Sequence, residues 1–144
     1  MGFDLHGLNP SGKENVEALE DVGPSGFFDE SAESEWKAEA QAGVYFRNNV
    51  WYWRPLWAYV GETCDDILTL KDYQYGQSND GHVINAEKAI AIGERLRETM
   101  HNYDKIAERL KESIKSLSKD YTFDKENIEE FANFCINSGG FSIW

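Results

Sequence analysis

Hydrophobic positions recur at intervals of three and four through the second half of the chain. Between residues 86 and 117, Ala89, Ile92, Leu96, Met100, Tyr103, Ala107, Leu110, Ile114 and Leu117 form one stripe, and Glu, Lys and Arg fill the other faces. That is the period of an amphipathic helix. At 1.5 Å per residue it would span on the order of 45 Å, and the polar pair His101-Asn102 is the expected break. Opposite charges at helical spacing, such as Glu94 with Arg97, Glu108 with Lys111 and Glu112 with Lys115, describe a solvated face. A last helix is predicted from Lys125 to Asn137, capped by Asp124 and stopped by Ser138-Gly139-Gly140. Its buried side is expected to hold Ile128, Phe131, Ala132, Cys135 and Ile136.

The middle of the chain is denser in aromatics than in any clear period. Val44 to Val60 holds Tyr45, Phe46, Trp51, Tyr52, Trp53, Trp57 and Tyr59, with Arg47 and Arg54 as the charges. Tyr45 and Phe46 read as a brief extended segment, after which Asn48 or Asn49 caps a helix with Val50, Trp53, Trp57 and Val60 on its apolar face. Pro55 complicates that reading, because inside a helix it removes a backbone hydrogen bond at a cost of roughly 3 kcal/mol. The alternative starts the helix at Pro55, with the stripe Leu56, Tyr59, Val60, Thr63, Cys64 and Ile67, and the pattern leaves both versions open. Either version ends near Leu68, and Thr69 then caps a short helical piece through Tyr75. Gly76 to Gly81 is a turn leading into His82-Val83-Ile84, with Asn85 as the next cap.

Alternation with period two is confined to the ends. Phe3 and Leu5 alternate with Asp4 and His6 in a short strand, and Phe141-Ser142-Ile143-Trp144 alternates in the same way. If the two pair, both termini lie in one small sheet. The predicted fold class is mainly α with a minor β element, a small helical domain with its two termini pairing as short strands.

Charge changes this picture in one place. The net charge is −12, and residues 10 to 43 supply −7 of it with nine acids against Lys13 and Lys37. The 144 residues are expected to form a single domain, with 11–43 as an acidic insertion or long loop in which Phe27, Phe28 and Trp36 are available to dock on the body. Two isolated cysteines, Cys64 and Cys135, read as reduced core residues rather than a disulfide framework. The chain has neither a run long enough to span a membrane nor the basic start of a signal peptide, so a cytoplasmic protein is expected. The acidic balance disfavours direct nucleic-acid binding, which needs a basic face to displace counterions.

Several blocks carry a resemblance. Met-Gly-Phe-Asp-Leu-His-Gly-Leu-Asn-Pro at the start, Tyr-Phe-Arg-Asn-Asn-Val-Trp-Tyr-Trp-Arg-Pro-Leu-Trp at 45–57, Asn-Asp-Gly-His at 79–82 and the closing Ser-Gly-Gly-Phe-Ser-Ile resemble a family of small uncharacterised bacteriophage and bacterial proteins. The acidic segment departs from that pattern, since members tend to join the first block to the second more directly. The resemblance implies a phage-like origin and, for a phage protein, the cytoplasm of the host cell. It implies no activity.

The candidate chemistry falls into three classes. The favoured one is binding without catalysis: Arg47, Asn48, Asn49, Trp51, Trp53 and Arg54, with Asp80 and His82 across a cleft, would hold a small nucleotide-like ligand, or this surface would meet a host protein. Rings stack on a base and guanidinium groups fork onto phosphate. No cofactor is required for this. The competing structural reading makes Val50, Trp53 and Trp57 core, with Arg47 and Arg54 paired to acids such as Asp65 or Asp66. The second class is a metal-dependent hydrolase using the Asp-x-His units Asp4/His6 and Asp80/His82 around a divalent ion. The third is an acidic protein inhibitor whose carboxylates stand where nucleic-acid phosphates would. Aromatics exposed on a helix also suit a homo-oligomer seam.

Overall fold

A computed structural model describes residues 2–10, 38–117 and 119–144. Five helices and a four-stranded antiparallel sheet make up the described part, so the chain is mainly α with a minor β element. The elements in order are β1 (Gly2–Gly7), β2 (Tyr45–Asn49), α1 (Val50–Thr63), α2 (Leu70–Tyr75), β3 (His82–Ile84), α3 (Ala86–Thr99), a 3₁₀ turn (Met100–Asn102), α4 (Tyr103–Leu117), α5 (Lys125–Ser138) and β4 (Phe141–Ile143).

The two ends of the chain do pair. The strand order is β2-β1-β4-β3, with Leu5 opposite Ile143 and, on the other side of β4, His82 opposite Ile143. Asp4 and Trp144 extend the ladder by exchanging backbone hydrogen bonds at 3.3 and 2.7 Å. Alternation then sorts the side chains. Phe3, Leu5, Phe46, Ile84, Phe141 and Ile143 are fully buried beneath the helices, while Asp4, His6, Tyr45, Arg47 and Val83 lie on the other face.

The helices begin where short polar side chains can reach their free N–H groups. Asn49 accepts from the amides of Trp51 and Tyr52, Asn85 from Lys88, and Asp124 from Glu126. Thr69 and Asp72 form a reciprocal capping box on α2. The long stripe breaks at Met100–Asn102, and α5 stops at Gly139, whose φ of 66° is the left-handed exit that glycine supplies.

Helix α1 resolves the ambiguity at Pro55. It starts at Val50 and carries Pro55 inside it, so the amide that would have bonded the Trp51 carbonyl is missing. That carbonyl accepts instead from the Thr122 amide at 2.9 Å, tying the helix to the loop before α5. Both predicted stripes are partly right: Trp53, Leu56, Trp57, Tyr59 and Val60 are all buried. The helix is shorter than expected, ending at Thr63 rather than near Leu68. At that end the Arg95 guanidinium donates to the Thr63 carbonyl at 2.7 Å and to both oxygens of Asp66 at 2.7 and 2.9 Å.

The last residues of the acidic stretch lie within the described part. Residues 38–41 are helical, Ala40 and Ala42 are buried, and Gly43 packs so closely on Asn137 that a Cβ would come within 2.2 Å of its backbone. These residues belong to the body. Residues 11–37, with Phe27, Phe28 and Trp36, lie outside the described part. Cys64 and Cys135 are free and buried, and burial pushes the Cys64 thiol up to about 11.

Candidate functional site

The 45–57 block divides between interior and surface. Trp53 is 0% exposed, stacked on Phe3 at 5.4 Å and on Trp57 at 5.2 Å, with Phe131 meeting it edge-on at 5.8 Å. Its indole N–H donates to the Gly76 carbonyl at 2.9 Å, and that of Trp57 to the Tyr73 carbonyl at 2.9 Å. These two bonds bring the turn at 76 to α1, as a ligand cleft would require, but the rings fill the space between. Trp53 is core and not a stacking platform.

Its neighbours are occupied in different ways. Asn48 is buried and exchanges two amide hydrogen bonds with Asn127, at 2.9 and 2.8 Å, clamping β2 to α5. Asn49 spends its side-chain oxygen on the α1 cap. Arg54 donates to Gln77 at 2.8 Å, and Arg47, on the outer sheet face, stands 3.9 Å from Asp4. Neither arginine meets Asp65 or Asp66, the partners that sequence proximity suggested; Asp66 belongs to Arg95. Trp51 is exposed beside Tyr121, and Asp80 is exposed in its turn.

The two Asp-x-His units do not converge. Strand β4 separates β1 from β3, and the registers put His6 opposite Ser142 and Val83, but His82 opposite Ile143 and Leu5. Alternate positions point to opposite faces. His6 therefore faces outward and His82 toward the helices. Asp4 accepts from the Tyr45 hydroxyl, and burial together with that carboxylate pushes the phenol up to about 12. Among the described residues, no three His, Cys, Asp or Glu side chains stand where they could share a metal ion.

His82 has a different partner, one that the sequence reading missed. Its Nε2 lies 2.9 Å from Asp72 Oδ1, while Lys88 and the Thr69 amide donate to Asp72 Oδ2. Asp72 is 6% exposed. Burial works against its charge, yet the donors from Lys88, His82 and Thr69 outweigh burial and hold the carboxyl well below the usual range. Tyr75 stacks on His82 at 5.6 Å. This cluster joins α2, β3 and α3 with its polar groups turned toward each other, which is an architectural use of charge. The Thr69 cap was legible in the sequence; the part Asp72 plays in it and the link to His82 and Lys88 were not.

An open groove lies elsewhere on the described part. A groove of about 590 Å³ runs between α1, α2 and α4. One wall is α4, through Leu110, Ser113, Ile114 and Leu117; the other is Leu68, Thr69, Leu70 and Tyr73. Ala58 and Gly61 of α1 form the floor. Gly61 lets the Tyr73 ring pack directly on α1, because a Cβ there would come within 2.5 Å of that ring. Leu70 and Leu117 at the rim are 73% and 74% exposed. The charged residues lining it are Glu62 and Asp65, both acidic.

Leu110, Ile114 and Leu117 belong to the stripe that predicts burial, and Ile114 is indeed buried. Leu117, at the end of the stripe, is exposed at the rim instead. The size lies within the range of binding pockets, and the lining is mostly apolar with a few polar groups, the usual composition of such sites. No protein-family model, no curated protein and no solved structure matches the chain.

Proposed function

We propose that this chain is a non-enzymatic binding protein, an accessory protein of bacteriophage type, that engages a host protein through the groove between α1, α2 and α4. The supporting observation is the pair of leucines at its rim, Leu70 and Leu117, each about three-quarters exposed above an apolar floor. Two leucines in water on either side of one groove leave apolar area that contact with a partner would bury, at roughly 25 cal/mol per Å². The lining is apolar below and acidic at the edge, so a partner gains burial from the first and charge complementarity from the second. The phage-like character rests on the sequence blocks at the start, at 45–57 and at 79–82.

This reading moves the working surface away from the 45–57 block, whose Trp53 and Trp57 rings are committed to the core. The test uses Nile red, a neutral dye that brightens in apolar surroundings. The protein should take it up with saturation, and replacing Leu70 and Leu117 together by Ser should remove the uptake while circular dichroism stays the same. Undiminished uptake by the double variant would overturn the assignment of the surface.

A further inference from the structure

We infer that the occupant of the groove is an amphipathic helix of a partner protein that carries basic residues beside its apolar face. The inference rests on the binding role proposed above and adds the partner's chemistry.

The walls decide the shape. The groove is lined by residues of helices α1, α2 and α4 and by the turn residues Asp65, Leu68 and Thr69, with no strand among its described residues. An extended peptide laid there would find no ladder to join, whereas a helix arrives with its own backbone bonds made. The α4 wall presents Leu110, Ile114 and Leu117 at intervals of four and three. From the first to the last of these is roughly 10 Å along the axis, about two helical turns. A facing helix with apolar residues at the same spacing meets them side by side. The short side chain of Ala58 on the floor allows it to approach closely.

The rim decides the charge. Glu62 and Asp65 line the groove, and among the described residues no Lys, Arg or His does. Glu62 is partly answered by Arg109 at 3.4 Å. Asp65 has no ion pair among the described residues, so it is the carboxylate left to meet an incoming lysine or arginine. The net charge of −12 acts in the same direction at longer range, drawing a basic segment toward the surface and opposing a second copy of this chain.

The experiment titrates the full chain with three peptides of about 18 residues, a length that gives a helix five turns. The first is an amphipathic peptide of leucine and lysine; the second has glutamate in place of lysine; the third is a scrambled leucine-lysine peptide with no apolar face. Calorimetry should show the first binding at least about tenfold more tightly than either of the others, the ratio expected when one large apolar contact is gained or lost. Replacing Leu70 and Leu117 by Ser should weaken it by a similar factor, and Asp65→Lys should weaken the lysine peptide without weakening the glutamate one.

Equal binding of the scrambled peptide would reduce the effect to bulk charge and overturn the inference, as would indifference to Leu70 and Leu117. A dimer in analytical ultracentrifugation that the leucine replacements dissociate would assign the groove to a second copy and overturn it too. Nile red uptake that depends on the leucines, with no peptide bound, would leave the groove standing as a binding surface and remove the helical partner. Loss of both would remove both.

Discussion

The aromatic centre and the α1/α2/α4 groove use the same kind of side chain to opposite ends. In the centre, Trp53 and Trp57 stack on each other and against Phe3, and each indole N–H reaches a backbone carbonyl. In the groove, Leu70 and Leu117 stand mostly in water. What differs is closure. The centre is enclosed by the sheet on one side and by α1 and α5 on others, so every ring gains contacts in all directions. At the groove, α1, α2 and α4 leave a gap between them, and the rim leucines have no apolar cover. Hydrophobicity marks which residues gain from burial, while only the arrangement of elements determines whether anything buries them.

Stability measurements can break that contrast, and the largest effect belongs to the centre. Trp53→Ala should lower unfolding stability by about 3–5 kcal/mol, the range for removing a buried aromatic, as read from urea denaturation. A loss near zero would mean the indole is not enclosed as described. Next in size is the charged cluster around Asp72. Replacing Asp72 by Ala strands His82 and Lys88 and removes part of the α2 cap, with an expected cost of about 2–4 kcal/mol.

Its pH dependence has a definite sign. The folded Asp72 carboxyl lies below its ordinary value of about 3.9. The unfolded chain therefore binds the proton first, and the contribution is fully present above about pH 4. It fades as pH falls toward the folded value. Stability of the parent should drop more steeply below pH 4 than that of Asp72→Asn, and parallel curves would show that the cluster contributes little.

A smaller loss is expected at Gly76. A Cβ there would sit 2.3 Å from the Trp57 ring, which is held between Trp53 and Tyr73 and has little room to yield. Gly76→Ala should cost about 1–3 kcal/mol by overpacking. The smallest effect belongs to the groove. Leu117→Ser should change stability by no more than about 0.5 kcal/mol, as at other exposed positions, although a core leucine would cost several times that. A large loss would mean that Leu117 is enclosed in solution, and the contrast with the centre would disappear.

The parts legible in the sequence are those whose causes lie within a few residues. Asn49, Thr69, Asn85 and Asp124 cap helices because a short polar side chain reaches amides two or three positions ahead. The break at Met100–Asn102 and the exit at Gly139 are equally local. The pairing of the two ends was open to inference from alternation alone, since Phe3, Leu5, Phe141 and Ile143 needed one shared buried face.

The tertiary structure decided whatever depended on a distant partner. Pro55 sits inside α1 because Thr122, 67 residues away, accepts the role of the missing amide toward the Trp51 carbonyl. His6 and His82 face opposite ways because β4, the last strand in the chain, lies between the other two. Asp72 finds His82 and Lys88 across a turn whose path no local pattern specifies. The α4 stripe became a groove wall for the same reason. Periodicity is a property of one helix, whereas burial is a property of two surfaces, and the second surface is set by how the whole chain packs.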